Sequence, residues 1–208
     1  MEIKAIPLGQ IKTNCYLVSS QKAAIVIDPG FADEQTESFL RANADKERMI
    51  LLTHAHFDHI GDALRLSRVT QTEIAIGELD NPALSDATVN LSYMFDVQTE
   101  PFSADLLFKD GDEYTIGDLK LRVILTPGHT KGGVCYLSGD KLFSGDTLFF
   151  ESVGRTDLPG GDFSVLEESV LRLFELDDKI KVFPGHGQET TIGHEKKFNP
   201  YVRVGRKL

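Results

Sequence analysis

The stretch Thr53–His59, THAHFDH, places three of the six histidines of the chain and an aspartate within seven residues. It follows the apolar run MILLT and precedes IGDALRLS, which has a helical pattern, so it predicts a strand-to-helix turn. In an extended segment residues i and i+2 point to the same side, so His54 and His56 can bind one metal ion. Asp58 and His59, at the start of the helix, can face a second ion. Imidazoles and a carboxylate this close repel protons and each other's dipoles without a cation, so the pattern favours metal binding over ordinary surface residues.

Three further side chains follow apolar runs later in the chain. His129 follows LRVILTPG, Asp146 follows KLFSG and His186 follows KVFPG. Each run is short and ends in Gly or Pro, which is typical of a strand followed by a turn. One such ending is an ordinary turn, but three of them with THAHFDH supply five histidines and two carboxylates. That donor set suits divalent metal ions.

In chain order THAHFDH, PGHT, SGD and PGHG resemble the motifs of the metallo-β-lactamase superfamily, over about residues 1–200. The resemblance implies an α/β (α+β) fold, an αββα sandwich of two mixed β-sheets flanked by helices, with two metal ions at one edge between the sheets. It implies these ligands: His54, His56 and His129 for the first ion, Asp58, His59 and His186 for the second, and Asp146 bridging both. Such ions lie ~3.5 to 4 Å apart. Asp58 and Asp146 are predicted to be catalytic as well.

Two positions indicate which branches of the superfamily the sequence does not resemble. His56 is not the Glu of the flavo-diiron branch, and Asp146 stands where class B1 lactamases have Cys, which disfavours antibiotic hydrolysis. The stretches GRTDLPGGD and PGHGQETTIGHEKKFNPYV resemble the short glyoxalase II-like hydrolases, which are relatives of hydroxyacylglutathione hydrolase. Longer glyoxalase II enzymes add a C-terminal helical region that binds glutathione, and a chain ending at Leu208 is not expected to hold it.

The leaving group favours a thioester substrate. Two divalent ions, with Zn expected and Fe or Mn as alternatives, would supply a hydroxide nucleophile, because even one zinc lowers the pKa of bound water to about 7. The predicted ligands leave His194 as the one free imidazole acid, and its surroundings favour a structural role. A thiolate, whose thiol has a pKa of ~8.5, leaves without such a donor, whereas an amide or alkoxide leaves poorly. We therefore expect a small-molecule thioester such as a hydroxyacylglutathione, cleaved by attack of metal-bound hydroxide.

Residues outside the ligand set give weaker signals. Arg155, in a Gly-rich loop, is predicted to contact a carboxylate or carbonyl of the substrate, with an ion pair to Asp157 or Asp162 as the equal alternative. Asp28 and Thr53 are candidates to orient ligand histidines, with a turn before Pro29 and Gly30 as the equal alternative for Asp28. The basic residues near the C terminus either bind an anionic thiol carrier or are simply solvated: Lys196, Lys197, Arg203, Arg206 and Lys207.

Composition bounds the function classes. With 41% hydrophobic and 26% charged residues, the 208-residue chain is typical of a globular protein, and a single metallo-β-lactamase-like domain is expected over residues 1–208. A net charge of −10 disfavours nucleic acid as a partner. Cys15 and Cys135 lie in apolar runs and are expected to be buried free thiols. Without a secretory leader or a run of ~20 apolar residues, a cytoplasmic protein with no membrane association is expected.

Secondary structure and competing functions complete the expectations. Helices are predicted at about 33–43, 59–68 and 162–176, and short helices and loop between Glu78 and Asp112. A persulfide dioxygenase would bind a single iron through two histidines and a carboxylate: His54, His129 and Asp146. A lactonase or phosphodiesterase would keep two metals, and a binding protein would be expected to have lost ligands. The filled set of ligands favours an enzyme.

Overall fold

The computed structural model describes residues 1–31 and 33–202. Its first sheet has six strands whose order across the sheet follows the chain: β1 (Glu2–Leu8), β2 (Thr13–Ser19), β3 (Ala23–Ile27), β4 (Glu47–Leu51), β5 (Ile74–Gly77) and β6 (Leu106–Phe108). The pairs β1–β2 and β2–β3 are antiparallel, whereas β3 to β6 run parallel. The sheet is therefore mixed.

The second sheet also has six strands and is mixed: β7 (Glu113–Ile116), β8 (Leu119–Leu125), β9 (Val134–Ser138), β10 (Lys141–Gly145), β13 (Lys181–Pro184) and β14 (Thr190–Thr191). Its order is β14-β13-β10-β9-β8-β7, and only the β10–β13 pair is parallel. A small hairpin of β11 (Leu148–Phe149) and β12 (Ser152–Val153) lies between β10 and β13 in the chain.

The described helices are α1 (Glu34–Ala42), α2 (Phe57–Ile60), α3 (Ala63–Thr70), α4 (Phe163–Leu173), α5 (Ile192–Phe198) and a 3₁₀ helix (Asn81–Ser85). Side chains that accept backbone N–H groups mark where three of them begin. Asp33 caps α1, Asp162 caps α4 and Thr191 caps α5. These residue types are favoured there because the first N–H groups of a helix have no partner within it.

Three apolar clusters define four layers. The central cluster lies between the sheets and includes Ile25 of β3 and Tyr136 of β9. Val26, the next residue of β3, points the other way and packs in the cluster under α1 and α3. The third cluster joins the second sheet to α4 and α5. A strand buried on both faces reads as a continuous apolar run, as AAIVI does. The order helix, sheet, sheet, helix confirms the predicted αββα sandwich.

The structure differs from the predicted secondary structure in three places. The helix predicted over 59–68 is split into α2 and α3 at Gly61, where a Cβ would lie 2.1 Å from the carbonyl oxygen of Gly30. The segment 78–112 contains the 3₁₀ helix but also β6, a short strand that adds to the edge of the first sheet beside β5. α5 was not among the predicted helices.

Other expectations have simpler outcomes. Cys15 and Cys135 are buried free thiols, as predicted. Arg203, Arg206 and Lys207 of the basic tail lie outside the described residues. Within residues 1–31 and 33–202, no helix has the length and apolar character that crossing a membrane requires.

Candidate metal centre

The seven predicted ligand side chains come together at one edge of the sandwich. The segment holding His54 to His59 follows β4, and His129 follows β8, Asp146 follows β10 and His186 follows β13. Their donor atoms form three groups, each within 4.8 Å: His54, His56 and His129; His54, His59 and Asp146; and Asp58, His59 and His186. The first and third groups are the two ligand sets that the resemblance implies.

Asp146 lies between these two sets. Its Oδ2 is 3.6 Å from His129 Nε2 and 3.5 Å from His186 Nε2, and its Oδ1 is 3.4 Å from His59 Nε2. Two donors bound at about 2.1 Å to one tetrahedral ion stand roughly 3.4 Å apart. The observed separations therefore fit side chains that share cations, with Asp146 as the residue that reaches both sets.

Four buried polar atoms of this cluster lack hydrogen bonds. Among the described residues, no group is a hydrogen-bond partner of Nε2 of His54, His56 or His59, or of Oδ1 of Asp146. His59 Nε2 does lie 3.3 Å from Asp58 Oδ2, without hydrogen-bond geometry. Buried polar atoms are nearly always paired, because each unpaired one costs about 1–3 kcal/mol. The atoms of His54, His59 and Asp146 therefore fit donors that cations complete.

Asp28 and Thr53 hold two ligand rings in place. Asp28 Oδ2 accepts hydrogen bonds from Thr53 Oγ1 at 2.7 Å and from His59 Nδ1 at 2.9 Å. Because the Thr53 hydroxyl donates to Asp28, its oxygen can accept from His54 Nδ1, which is 3.1 Å away. A hydrogen bond at Nδ1 fixes the ring and leaves Nε2 free to bind a metal. These contacts match the orienting roles predicted for both residues.

His129 and Asp58 are also held in place, His129 by a backbone carbonyl and Asp58 by a threonine hydroxyl. His129 Nδ1 donates to the carbonyl oxygen of Arg155 at 2.7 Å. Its Nε2 is 2.9 Å from His56 Nδ1, so these two nitrogens face the same point. Asp58 Oδ2 accepts from Thr13 Oγ1 at 2.7 Å, and Thr13 forms an isolated β-bridge with His186. Thr13 therefore links two members of the second set, a role that the sequence did not reveal.

The charges of the cluster suit metal ligands. Burial, reinforced by the neighbouring imidazoles, lowers the pKa of His54 well below its usual value and that of His56 to about 3, so both rings are neutral at pH 7. Burial also lowers the pKa of His59, but the carboxylates of Asp58, Asp146 and Asp28 outweigh it and raise that pKa. The negative charges of these carboxylates therefore favour a positive charge next to His59, such as that of a bound cation.

Two glycines make room for Asp146. A Cβ on Gly154 would lie 1.8 Å from the carbonyl oxygen of Asp146, and one on Gly185 would lie 2.2 Å from its Oδ1. Neither position has space for any side chain, because real Cβ atoms do not approach so closely. The glycines of SVGR and FPGH therefore let the hairpin after β10 and the loop after β13 close around this carboxylate.

Comparison with known proteins agrees with this geometry. Residues 8–186 match the Metallo-beta-lactamase superfamily, and this interval contains every predicted ligand. The chain belongs to the metallo-β-lactamase superfamily. It is 34% identical to the probable metallo-hydrolase YqgX of Bacillus subtilis (strain 168), covering 97% of this chain and 98% of that one. It is 32% identical, over the same shares, to the hydroxyacylglutathione hydrolase GloC of Haemophilus influenzae (strain ATCC 51907).

Solved structures in the superfamily have the same fold over nearly the whole chain. The BLEG-1 B3 metallo-beta-lactamase is 37% identical, with a TM-score of 0.89 over 97% of this chain and 99% of that one. TTHA1623 in a di-iron-bound form is 33% identical, with a TM-score of 0.84 over 96% and 100%. ETHE1 from Myxococcus xanthus is 31% identical, with a TM-score of 0.76 over 96% and 84%.

Arg155 and His194, two other residues with predicted roles, are not among the predicted metal ligands. The guanidinium of Arg155 is exposed and makes two hydrogen bonds of 2.7 Å to Asp157, the alternative that the sequence left open, and its contact with substrate stays a prediction. His194 stacks on Phe150 and packs at an angle of 42° against Phe198, and its Nε2 is 3.0 Å from Glu151 Oε1. That packing agrees with the structural role expected for His194.

Proposed function

We propose that this protein is a dinuclear metal-dependent hydrolase that cleaves a small thioester, such as a hydroxyacylglutathione. The observation that carries the proposal is the convergence of two complete ligand sets on Asp146. When bound, two divalent cations supply an activated water near neutral pH and polarise the substrate carbonyl. Zn is the proposed metal, with Fe as the first alternative because of the similarity to the di-iron form of TTHA1623.

The residues of the chain have separate tasks in this proposal. His54, His56 and His129 would hold the first ion, and Asp58, His59 and His186 the second. Asp58 and Asp146 are the proposed catalytic carboxylates, because the neighbouring imidazoles lower their pKa against the effect of burial and keep both ionised. Thr13 fixes Asp58 Oδ2 and Asp28 fixes His59, so the carboxylates and rings are oriented before substrate arrives.

The surroundings of the centre favour a leaving group that departs without a proton donor. The only histidine outside the ligand set, His194, is held by Glu151 and two phenylalanine rings. Its Nε2 already has a partner in Glu151, which disfavours a role as the acid that protonates an amide or an alkoxide. A thiolate needs little protonation because thiol pKa values are ~8.5. The similarity to GloC supports the same class of substrate.

A pocket beside the first ligand set offers room for the substrate. It has a volume of about 390 Å³, within the usual ligand-binding range of roughly 300–1,000 Å³. His56 and Ala55 lie at one side of it, and most of its remaining wall is apolar: Leu79, Pro82, Ala83, Val89 and Pro159. Lys131 also lines it. We propose that an apolar part of the substrate packs here while its thioester faces the cations.

Replacing Leu79 by Glu tests the use of this pocket. Leu79 is 55% exposed, so the change leaves the core intact, but it removes apolar contact and adds a negative charge. We expect KM for the thioester to rise roughly tenfold while kcat changes less than about twofold. Leu107→Glu is the matched control, since Leu107 is 46% exposed on β6 and outside the pocket. Equal kinetics for the two variants would contradict the assignment.

The proposed function itself is tested by a panel of substrates. The metal-loaded protein is assayed for kcat/KM with S-lactoylglutathione, a cephalosporin and a short-chain lactone. The cephalosporin is included because of the similarity to BLEG-1. We expect S-lactoylglutathione to be the best of the three. Turnover of S-lactoylglutathione no faster than with an Asp146→Ala protein would overturn the thioesterase assignment and leave the metal centre to be explained by another substrate.

A further inference from the structure

We propose that Asp80 is a positioning residue that holds the two loops of the first ligand set, His54–His56 and the loop after His129, at the distance that metal binding requires. This inference rests on the proposed metal-dependent function and adds a residue outside the seven ligands. Asp80 follows β5, and its side chain is buried with 3% of its surface exposed.

The carboxylate of Asp80 is shared between the two loops. Its Oδ2 accepts from the backbone N–H of Ala55 at 3.1 Å and from the hydroxyl of Thr130 at 2.8 Å. Its Oδ1 accepts from the backbone N–H of Gly132 at 2.6 Å. Ala55 stands between His54 and His56, and Thr130 directly follows His129. One buried carboxylate thus joins the loop after β4 of the first sheet to the loop after β8 of the second.

The packing around Asp80 leaves little freedom for this link. A Cβ on Gly132 would lie 2.2 Å from the backbone nitrogen of Asp80 and 2.8 Å from its Oδ1. A Cβ on Gly77 would lie 2.4 Å from the carbonyl oxygen of Gly132. Both glycines therefore serve the close approach of the segment after β5, which carries Asp80, to the loop after His129. His56 Nδ1 and His129 Nε2, one from each of the two loops that Asp80 joins, lie 2.9 Å apart.

The second ligand set does not depend on this link. Asp58 is held by Thr13, and His59 is held by Asp28, so neither contact passes through Asp80. Loss of the Asp80 carboxylate should therefore loosen the first set and spare the second. An asparagine at position 80 keeps the size of the side chain, but its amide nitrogen must face the N–H of Ala55 or of Gly132, because each of its two positions meets a donor.

The test is a competition titration of metal-free Asp80→Asn with Zn²⁺ against a chelating dye, with the wild-type protein in parallel. We expect affinity at one site to fall about 10- to 100-fold, as for other residues that orient ligands, and affinity at the other to stay within about threefold. Asp105→Asn is the matched control. Asp105 holds the N–H of Ile74 at the opposite end of β5, and no metal-ligand loop is bonded to it among the described residues.

The outcomes separate this inference from the proposed function. If wild-type protein binds fewer than two Zn²⁺ ions, the proposed function fails. If the wild-type protein binds two ions, two results would overturn only the role of Asp80. One is unchanged affinity at both sites of Asp80→Asn, and the other is an equal loss of affinity at both sites. If Asp80→Asn does not fold, Thr130→Val and Thr130→Ser decide: Val should weaken one site about tenfold and Ser should restore it. Equal affinities in these two variants would overturn the inference.

Discussion

Replacing Asp146 by Ala is expected to lower kcat/KM for thioester hydrolysis by roughly a thousandfold or more, because charge stabilisation by a metal centre supplies several kcal/mol to the transition state. The oxygens of Asp146 lie 3.4 to 3.6 Å from Nε2 of His59, His129 and His186, so its removal affects both ligand sets. The measurement is steady-state turnover, with the metal content of the same sample determined alongside.

Asp140→Ala is the matched control for this variant. Asp140 lies at the other end of β10, is exposed and pairs with Lys141, so its loss should leave turnover within about twofold of the wild type. Circular dichroism of both variants would check that each remains folded. Retention of more than about a tenth of the wild-type kcat/KM in Asp146→Ala would show that Asp146 does not join the two sets as proposed.

Removal of metal is the second change with a large expected effect. At metal concentrations of about 1,000 times Kd, binding of each ion stabilises the folded protein by roughly 4 kcal/mol, so two ions contribute about 8 kcal/mol. For a chain of this size each kcal/mol shifts Tm by about 2–4 °C, so chelation should lower Tm by roughly 15–30 °C. The physical reason is that buried Nε2 atoms of His54 and His59, which have no hydrogen-bond partner among the described residues, lose the cations that satisfy them.

Calorimetry with and without a chelator measures this effect. Readdition of Zn²⁺ should restore the original Tm, which excludes a direct action of the chelator on the protein. In Asp146→Ala the response to Zn²⁺ should be smaller than in the wild type, because neither ligand set is then complete around a shared carboxylate. A Tm that does not respond to metal in the wild-type protein would contradict the presence of a metal centre.

The parts of the centre that could be predicted from sequence are those marked by local patterns. THAHFDH is unusual in itself, and His129, Asp146 and His186 each follow an apolar run that ends in Gly or Pro. The structure confirms that these runs are the strands β4, β8, β10 and β13. The pattern at each strand end is enough to name the seven side chains, whereas their division between two ions comes from the resemblance to the superfamily.

The contacts that could not be predicted depend on distant residues of common types. Thr13 lies 45 positions from Asp58, and Thr130 lies 50 positions from Asp80. A threonine in a strand or a loop has no local signature that distinguishes a hydroxyl that holds a ligand or its loop from any other buried hydroxyl. Asp80 does carry a signal, since it comes shortly after the apolar run IAIG, as the ligands come after theirs. Without the structure, this position does not identify Asp80, because an acidic residue after a strand more often belongs to an ordinary turn.

The account is tested most directly by adding metal in steps to metal-free protein and following S-lactoylglutathione hydrolysis and oxygen uptake together. Two complete ligand sets predict that hydrolysis reaches its plateau at two equivalents of Zn²⁺ per chain, with no oxygen uptake. Oxygen uptake that reaches its plateau at one equivalent of iron per chain, with no thioester cleaved, would contradict the account. That result would instead assign His54, His129 and Asp146 to a single iron centre of the dioxygenase type.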